Sequence, residues 1–348
     1  MSLLAISAIV LLIGVQNVEA LTIAGGATSS LTADATDGVV TGGANSDYTR
    51  SAAGASPATY TVTSIDLDGD IIVTTPTSAA NTIVNVSGNV NLSITSGTGT
   101  LQVINGATGS NDASTELDIG GTLDVAGATT ITGSASSNAG AVVLLQVAGN
   151  ATFTGAVEID GNTGGAGADA TLDFDGSDQT ITFTAGLDIG DNTGDGHLTL
   201  TGAGAQTVVG VIDGNAASEG TITVTNTGSA AVIFEDNIGA TATLQEIIIA
   251  DSGSGVTFKG TVAVDNAGDD QAAIAVTNNM TVNFEKDVNL VAAANDQDNL
   301  TLGGSGAVVG LTGTSAQTFT GNISGGGILN VTNTAGATVS GDAGTTGT

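Results

Sequence analysis

The sequence predicts an all-β chain wound as a right-handed parallel β-helix, a solenoid with about 26 residues and three short strands per coil. Three observations carry this prediction. Apolar and polar residues alternate over short segments, the composition disfavours helix, and side-chain markers recur at one period.

The alternation is direct. Leu123-Asp-Val125, Val157-Glu-Ile159, Leu172-Asp-Phe174, Leu198-Thr-Leu200 and Ile222-Thr-Val224 put apolar residues on every second position, as a half-buried strand requires. Gly, Asn, Asp and Ser separate these segments. Glycine fills 53 of 348 positions, about twice its ordinary share, and it weakens helices. Thr, Val and Ile favour a pleated surface. Beyond the first twenty residues no segment carries a helical period.

The repeat emerges when the phenylalanines are aligned. Six of the seven are followed four residues later by Val, Ile or Leu: Phe153/Val157, Phe183/Leu187, Phe234/Ile238, Phe258/Val262, Phe284/Val288 and Phe319/Ile323. The linking residues, Lys-Gly-Thr after Phe258 for instance, are turn chemistry. Phe234, Phe258 and Phe284 stand 24 and 26 apart, and the 51 between Phe183 and Phe234 reads as two units. Val224-Thr-Asn226, Val276-Thr-Asn278 and Val331-Thr-Asn333 agree, with asparagines 52 and 55 apart. Gln179-Thr180, Gln206-Thr207 and Gln317-Thr318 form a third series, spaced 27 and 111. One coil would then supply Phe258, Val262/Val264 and Ile274/Val276 to its three strands. The next would supply Phe284, Val288/Leu290 and Leu300/Leu302. Like residues would stack about 4.8 Å apart as an internal phenylalanine/aliphatic column, with an asparagine ladder beside it. A string of Ig-like sandwiches is the competing all-β reading, but it needs about 100 residues per unit and longer strands.

In chain order, Leu3 to Val15 is an apolar run too short to span a bilayer, followed by Val18-Glu-Ala20. This predicts a signal peptide over 1–20, although no Lys or Arg precedes the run. Residues 21–80 hold both prolines, both tyrosines (Tyr48, Tyr60) and the only arginine (Arg50), the composition of atypical capping coils. Residues 81–340 are the solenoid repeats. Residues 341–348 are a polar tail, and with no second cap there the expectation is a fragment of a longer protein. The mature chain contains no further segment of transmembrane length.

Composition narrows the function. Three Lys+Arg against 34 Asp+Glu give a net charge of −31, which points away from nucleic acid. There is no cysteine for thiol chemistry, and a single histidine, His197, cannot build a multi-histidine metal site.

Units such as Phe153-Thr-Gly-Ala-Val-Glu-Ile159 and Phe258-Lys-Gly-Thr-Val-Ala-Val264, after the signal-like Leu3–Ala20, resemble the β-strand-repeat passengers of bacterial autotransporters, large surface adhesins and repeat-rich S-layer proteins. The resemblance covers roughly 85–348 and concerns architecture. It implies an exported, extracellular or cell-surface, non-catalytic protein of structural or adhesive role. Its partners would be cell-surface or matrix components, or further copies packed laterally or end to end.

Two alternatives stand beside this reading, one from the acids and one from the polysaccharide lyases and hydrolases that also use parallel β-helices. Asp66-Leu-Asp68-Gly-Asp70 places carboxylates at alternating positions around a glycine, so Asp66, Asp68 and Asp70 are candidate Ca²⁺ ligands. The EF-hand pattern fails, since the twelfth position counted from Asp66 is Thr77. Asp173/Asp175/Asp178 and Asp188/Asp191/Asp195 are similar clusters, and either could simply be acidic turns. A calcium-dependent, self-assembling S-layer-type protein is the first alternative, with Ca²⁺ as the one cofactor considered. The second is a secreted β-helix enzyme acting on polysaccharide. A lyase would need cations, and only Arg50, Lys259 and Lys286 exist, without a shared motif. Paired carboxylates for a hydrolase arise by chance among 34 acids. Asn-x-Ser/Thr sequons occur at Asn85, Asn91, Asn150, Asn279, Asn299, Asn322 and Asn330.

Overall fold

The computed structural model describes residues 21–344, apart from 24–27, 32–34, 53–56, 76–79, 94–97, 108–112, 134–141, 162–168, 191–195, 229, 251–254, 267–271, 278–279 and 293–298. The region 1–20, Asp191, Asp195, Asn278 and Asn279 therefore lie outside the described residues.

The described residues form parallel strands stacked as a β-solenoid, with coils roughly 26 residues apart and no helix. A typical coil lends one strand to each of three faces. Val142–Val147 lies on face 1, Ala151–Phe153 on face 2 and Val157–Asp160 on face 3. The chain then returns to face 1 as Asp169–Phe174, with Leu145 paired to Leu172 and Val147 to Phe174. Small turn residues make the corners. Near the N-terminus, Ala35–Ala44 and Ala58–Asp68 run through the corner between faces 1 and 2 without a break, which fuses those faces into one 23-stranded sheet. Face 3 is an eight-stranded and a four-stranded sheet, joined through Ile238, which bridges Ile212 and Val262. Ala58–Asp68 pairs with Thr82–Val86, and Ile71–Thr75 with Leu101–Asn105, so the same ladders join the 21–80 region to the coils that follow.

Alternation decides which side chains enter the core. Face 1 stacks one aliphatic column from Leu117 through Leu145, Leu172, Leu198, Ile222, Ile247, Ile274 and Leu300 to Ile323. All of these are buried, and each such side chain stabilises by about 1.5–3 kcal/mol. The coils expected around Phe258 and Phe284 are present: Phe258, Val262 and Ile274 pair to Phe284, Val288 and Leu300 on faces 2, 3 and 1.

The phenylalanines form two stacks instead of one. Phe153 and Phe183 are parallel with ring centroids 5.3 Å apart, and Phe234, Phe258 and Phe284 follow at 5.0 and 5.3 Å. Between the stacks the register slips. The coil of Phe183 takes five steps from Thr182 to Leu187, whereas the next takes three from Val209 to Ile212. Phe183 thus sits over Gly210, while Phe234 continues the column of Ile181 and Val208. Gly210 has φ +119, and a Cβ there would meet the Phe183 carbonyl oxygen at 2.2 Å, so only glycine fits.

The last coils correct three markers. Phe319 lies on face 3, paired with Val288, and not beneath Phe284 on face 2. Gln317 begins the same face 3 strand, and Val331 ends a face 2 strand. Their counterparts Gln206 and Val224 lie on faces 2 and 1, so all three are displaced by one face. Phe319 follows Phe284 by 35 residues where one coil takes 27 to reach Leu311, and Val331 follows Val276 by 55 where two coils take 26 and 23 to reach Gly325, so the motifs overrun the coils and land one face on.

The asparagine ladder is instead a mixed amide ladder. Gln206 Nε2 donates to Gln179 Oε1 (2.8 Å) and to the Phe174 carbonyl (2.7 Å), and Asn226 Nδ2 donates to Gln206 Oε1 (2.9 Å). Gln179 Nε2 closes the run on the carbonyls of Val147 and Gly149. Asn333 repeats the contact on Gln317, one face later. All five amides are buried, and each one left unpaired would cost about 1–3 kcal/mol.

Candidate functional site

The three predicted calcium ligands lie where the early strand Ala58–Asp68 ends. Asp66 and Asp68 point outward from it, and Asp70 stands beyond the Gly69 corner, at the start of Ile71–Thr75. Gly69 is required there, since a Cβ would meet the Ser46 carbonyl oxygen at 1.8 Å. Asp66 and Asp70 have separate partners. Asp66 Oδ1 accepts from Asn91 Nδ2 (2.8 Å) in the next coil. Asp70 Oδ1 accepts from the Thr100 backbone N–H (2.8 Å) and from the Thr98 hydroxyl, which ties two coils together. Among the described residues, no group of three or more His, Cys, Asp and Glu is placed to hold a metal ion. An open groove beside Asp66 is lined by Thr63, Ser64, Gly88, Asn89 and Asn91.

Coil stacking gathers acids that are far apart in sequence. On face 3, Glu158, Asp188 and Asp213 pair directly in successive coils. Partial burial, with the Asp213 charge added, raises the Asp188 pKa above its ordinary 3.8. On face 1, burial raises Glu116 and Asp118, with Asp118 adding to the effect on Glu116. Asp175 is raised by burial and then by Asp173 and Asp118. Asp173 is itself buried and accepts from Gln146 Nε2 (2.8 Å), Thr199 Oγ1 (2.7 Å) and Thr201 Oγ1 (2.9 Å), so this acid serves the ladder. The face 3 column escaped the sequence reading, though the triplets Val157-Glu-Ile159, Leu187-Asp-Ile189 and Ile212-Asp-Gly214 hold its signal.

His197 faces outward on face 1 between Thr171 and Thr221. Lys259 projects from the end of a face 2 strand and pairs with Glu235 at 2.8 Å, which raises its pKa through that hydrogen bond. Arg50 is interior: it lies 3.6 Å over the Tyr48 ring, and its Nη1 donates to the carbonyls of Ser29 (2.9 Å) and Thr49 (2.7 Å). Among the sequons, Asn91, Asn150 and Asn330 are exposed, whereas Asn299 is buried and bonded to Leu290 and Asn322. No helix among the described residues is long and apolar enough to cross a membrane. No protein-family model, curated protein or solved structure matches this chain.

Proposed function

We propose that the chain is an exported, surface-associated structural or adhesive solenoid, a stiff spacer that works by stacking and not by turnover. The observation that carries this reading is the unbroken core: the aliphatic column from Leu117 to Ile323 joins every coil it crosses to its neighbours. Parallel ladders on three sides of that column resist bending, because every coil is hydrogen-bonded above and below. The acidic exterior favours separation of rods and attracts divalent cations diffusely. The paired carboxylates of Glu158, Asp188 and Asp213 give a calcium-bridged layer some support as the second reading.

Negative-stain microscopy of residues 21–348, in millimolar Ca²⁺ and again in chelator, tests both readings. Isolated straight rods indifferent to calcium are the expected result. Ordered sheets that dissolve in chelator would favour the layer. Flexible or compact particles would remove the spacer reading. Sequencing the N-terminus of protein recovered outside a secreting bacterial host tests export, with Leu21 expected as the first residue. Retention inside the cell with Met1 intact would overturn it.

A further inference from the structure

Charge is distributed unevenly around the solenoid, and the unevenness points to a docking face. From Ala151–Phe153 to Ile328–Val331, the outward side of face 2 carries no charged residue. One column there runs Thr180, Thr207, Ile233, Thr257, Asn283, Gly310 and Asn330 in direct register. Ile328 on the same side is 53% exposed, a large apolar side chain open to solvent. The nearest charges stand at the margins, with Asp178 at one and Glu235, Lys259 and Glu285 at the other. Over the same coils, face 3 presents Glu158, Asp188, Asp213 and Asp265, and face 1 presents Asp169 and Glu246. The N-terminal part of face 2 is different again, with Asp66 and Asp124 in its outward columns.

We propose that this uncharged stretch of face 2 is the surface through which two copies of the chain pack side by side, face to face. The occupant is argued from charge. A copy carrying a net charge of −31 meets Glu158, Asp188, Asp213 and Asp265 if it approaches face 3, and Asp169 and Glu246 if it approaches face 1. On this stretch of face 2 it meets only hydroxyls, amides and aliphatic groups. Eight strands at about 4.8 Å and about 13 Å of width cover on the order of 450 Å² per copy. Two such faces bury about 900 Å², the range of weak, reversible association. The dimer therefore forms at micromolar or higher concentration and strengthens with salt, which screens the acidic flanks. The inference extends the structural role proposed above, but its test reads association and not export or rod shape, so either can fail alone.

The test is sedimentation velocity on the 21–348 chain across concentration, at about 20 mM and about 500 mM NaCl, where the screening length differs several-fold. The wild type is expected to show a monomer–dimer equilibrium that shifts toward dimer in high salt. The double variant Thr207→Glu/Thr257→Glu places two carboxylates mid-face and is expected to weaken association at least tenfold. Thr301→Glu/Thr338→Glu adds the same charge to faces 1 and 3 and is expected to leave association within about twofold once salt screens it. Circular dichroism melts confirm that each variant folds. A wild-type chain that stays monomeric throughout would overturn the proposal, as would equal weakening by both double variants. Binding of a neutral polysaccharide to face 2, without self-association, would also overturn it by naming a different occupant.

Discussion

The N-terminal coils and the coils from 234 to 284 fill the same three-sided cross-section with different chemistry. In the first, Tyr48, Tyr60 and the Arg50 guanidinium occupy the interior, the cation lying over an aromatic ring and donating to backbone carbonyls. In the second, three phenylalanine rings stack nearly parallel on adjacent coils. The cross-section demands volume and satisfied polar groups, not a particular residue. A cation can be buried where only one coil must host it, since cation–π contact and carbonyls replace water. A position repeated through many coils favours a side chain that stacks on its own kind.

The largest predicted effect breaks the repeated side. Phe258→Ala removes the middle ring of three and should destabilise by about 4 kcal/mol in urea unfolding. A cost under about 1 kcal/mol would show that the stack is not what holds these coils. Arg50→Ala should cost about 3 kcal/mol, through the lost packing and the carbonyls of Ser29 and Thr49 left without their donor. Because a solenoid couples mainly nearest neighbours, hydrogen exchange should rise around Val40–Val73 and stay unchanged near Phe258. Exchange that rises evenly along the chain would erase the contrast between the regions.

Gln206→Ala tests the amide ladder between them. It removes the partner of Gln179 Oε1 and one of two partners from Asn226 Nδ2 and the Phe174 carbonyl, which keep Gly204 and the Thr201 N–H, for an expected loss of about 2 kcal/mol, and Gln206→Glu should be no better at neutral pH. A smaller shift concerns acidity. Glu116, Asp118, Asp175 and Asp188 have folded pKa values above their ordinary ones, so the folded chain binds protons more tightly than the unfolded chain. Their penalty is fully present at neutral pH and is relieved as pH falls toward the ordinary 3.8 to 4.5. The melting temperature should therefore rise modestly between pH 7 and about pH 5. A fall over that interval would contradict the destabilisation of these four carboxylates by burial and by the acids beside them. Least of all, Lys259→Ala should change stability by under about 0.5 kcal/mol, since its pair with Glu235 is solvent-exposed.

Much of the fold was legible in the sequence. Period-two alternation assigned the strands, the 24- and 26-residue spacings of Phe234, Phe258 and Phe284 set the coil, and the odd composition of 21–80 marked Arg50 and its tyrosines. The markers failed where coil length changed. Gln317, Phe319 and Val331-Thr-Asn333 reproduce motifs seen earlier, and locally they do the same work, with Asn333 bonding Gln317 as Asn226 bonds Gln206. They do it one face later. The candidate calcium triplet illustrates the converse: Asp66, Asp68 and Asp70 are close in sequence, yet Asp66 and Asp70 accept hydrogen bonds from other coils.

Local residue choice thus decided what is a strand, what is a corner and which side of each strand is buried, because those depend on contacts within a few positions. Which face a motif reaches, and which outward side chains meet, depends on the summed length of every preceding corner. Two residues fewer between Val209 and Ile212 divided the phenylalanines into two stacks, and the 35 residues from Phe284 to Phe319, against a coil of 27, put the final phenylalanine on the next face. The acid column of Glu158, Asp188 and Asp213 and the neutral stretch of face 2 arise the same way, from registers that only the closed stack of coils defines.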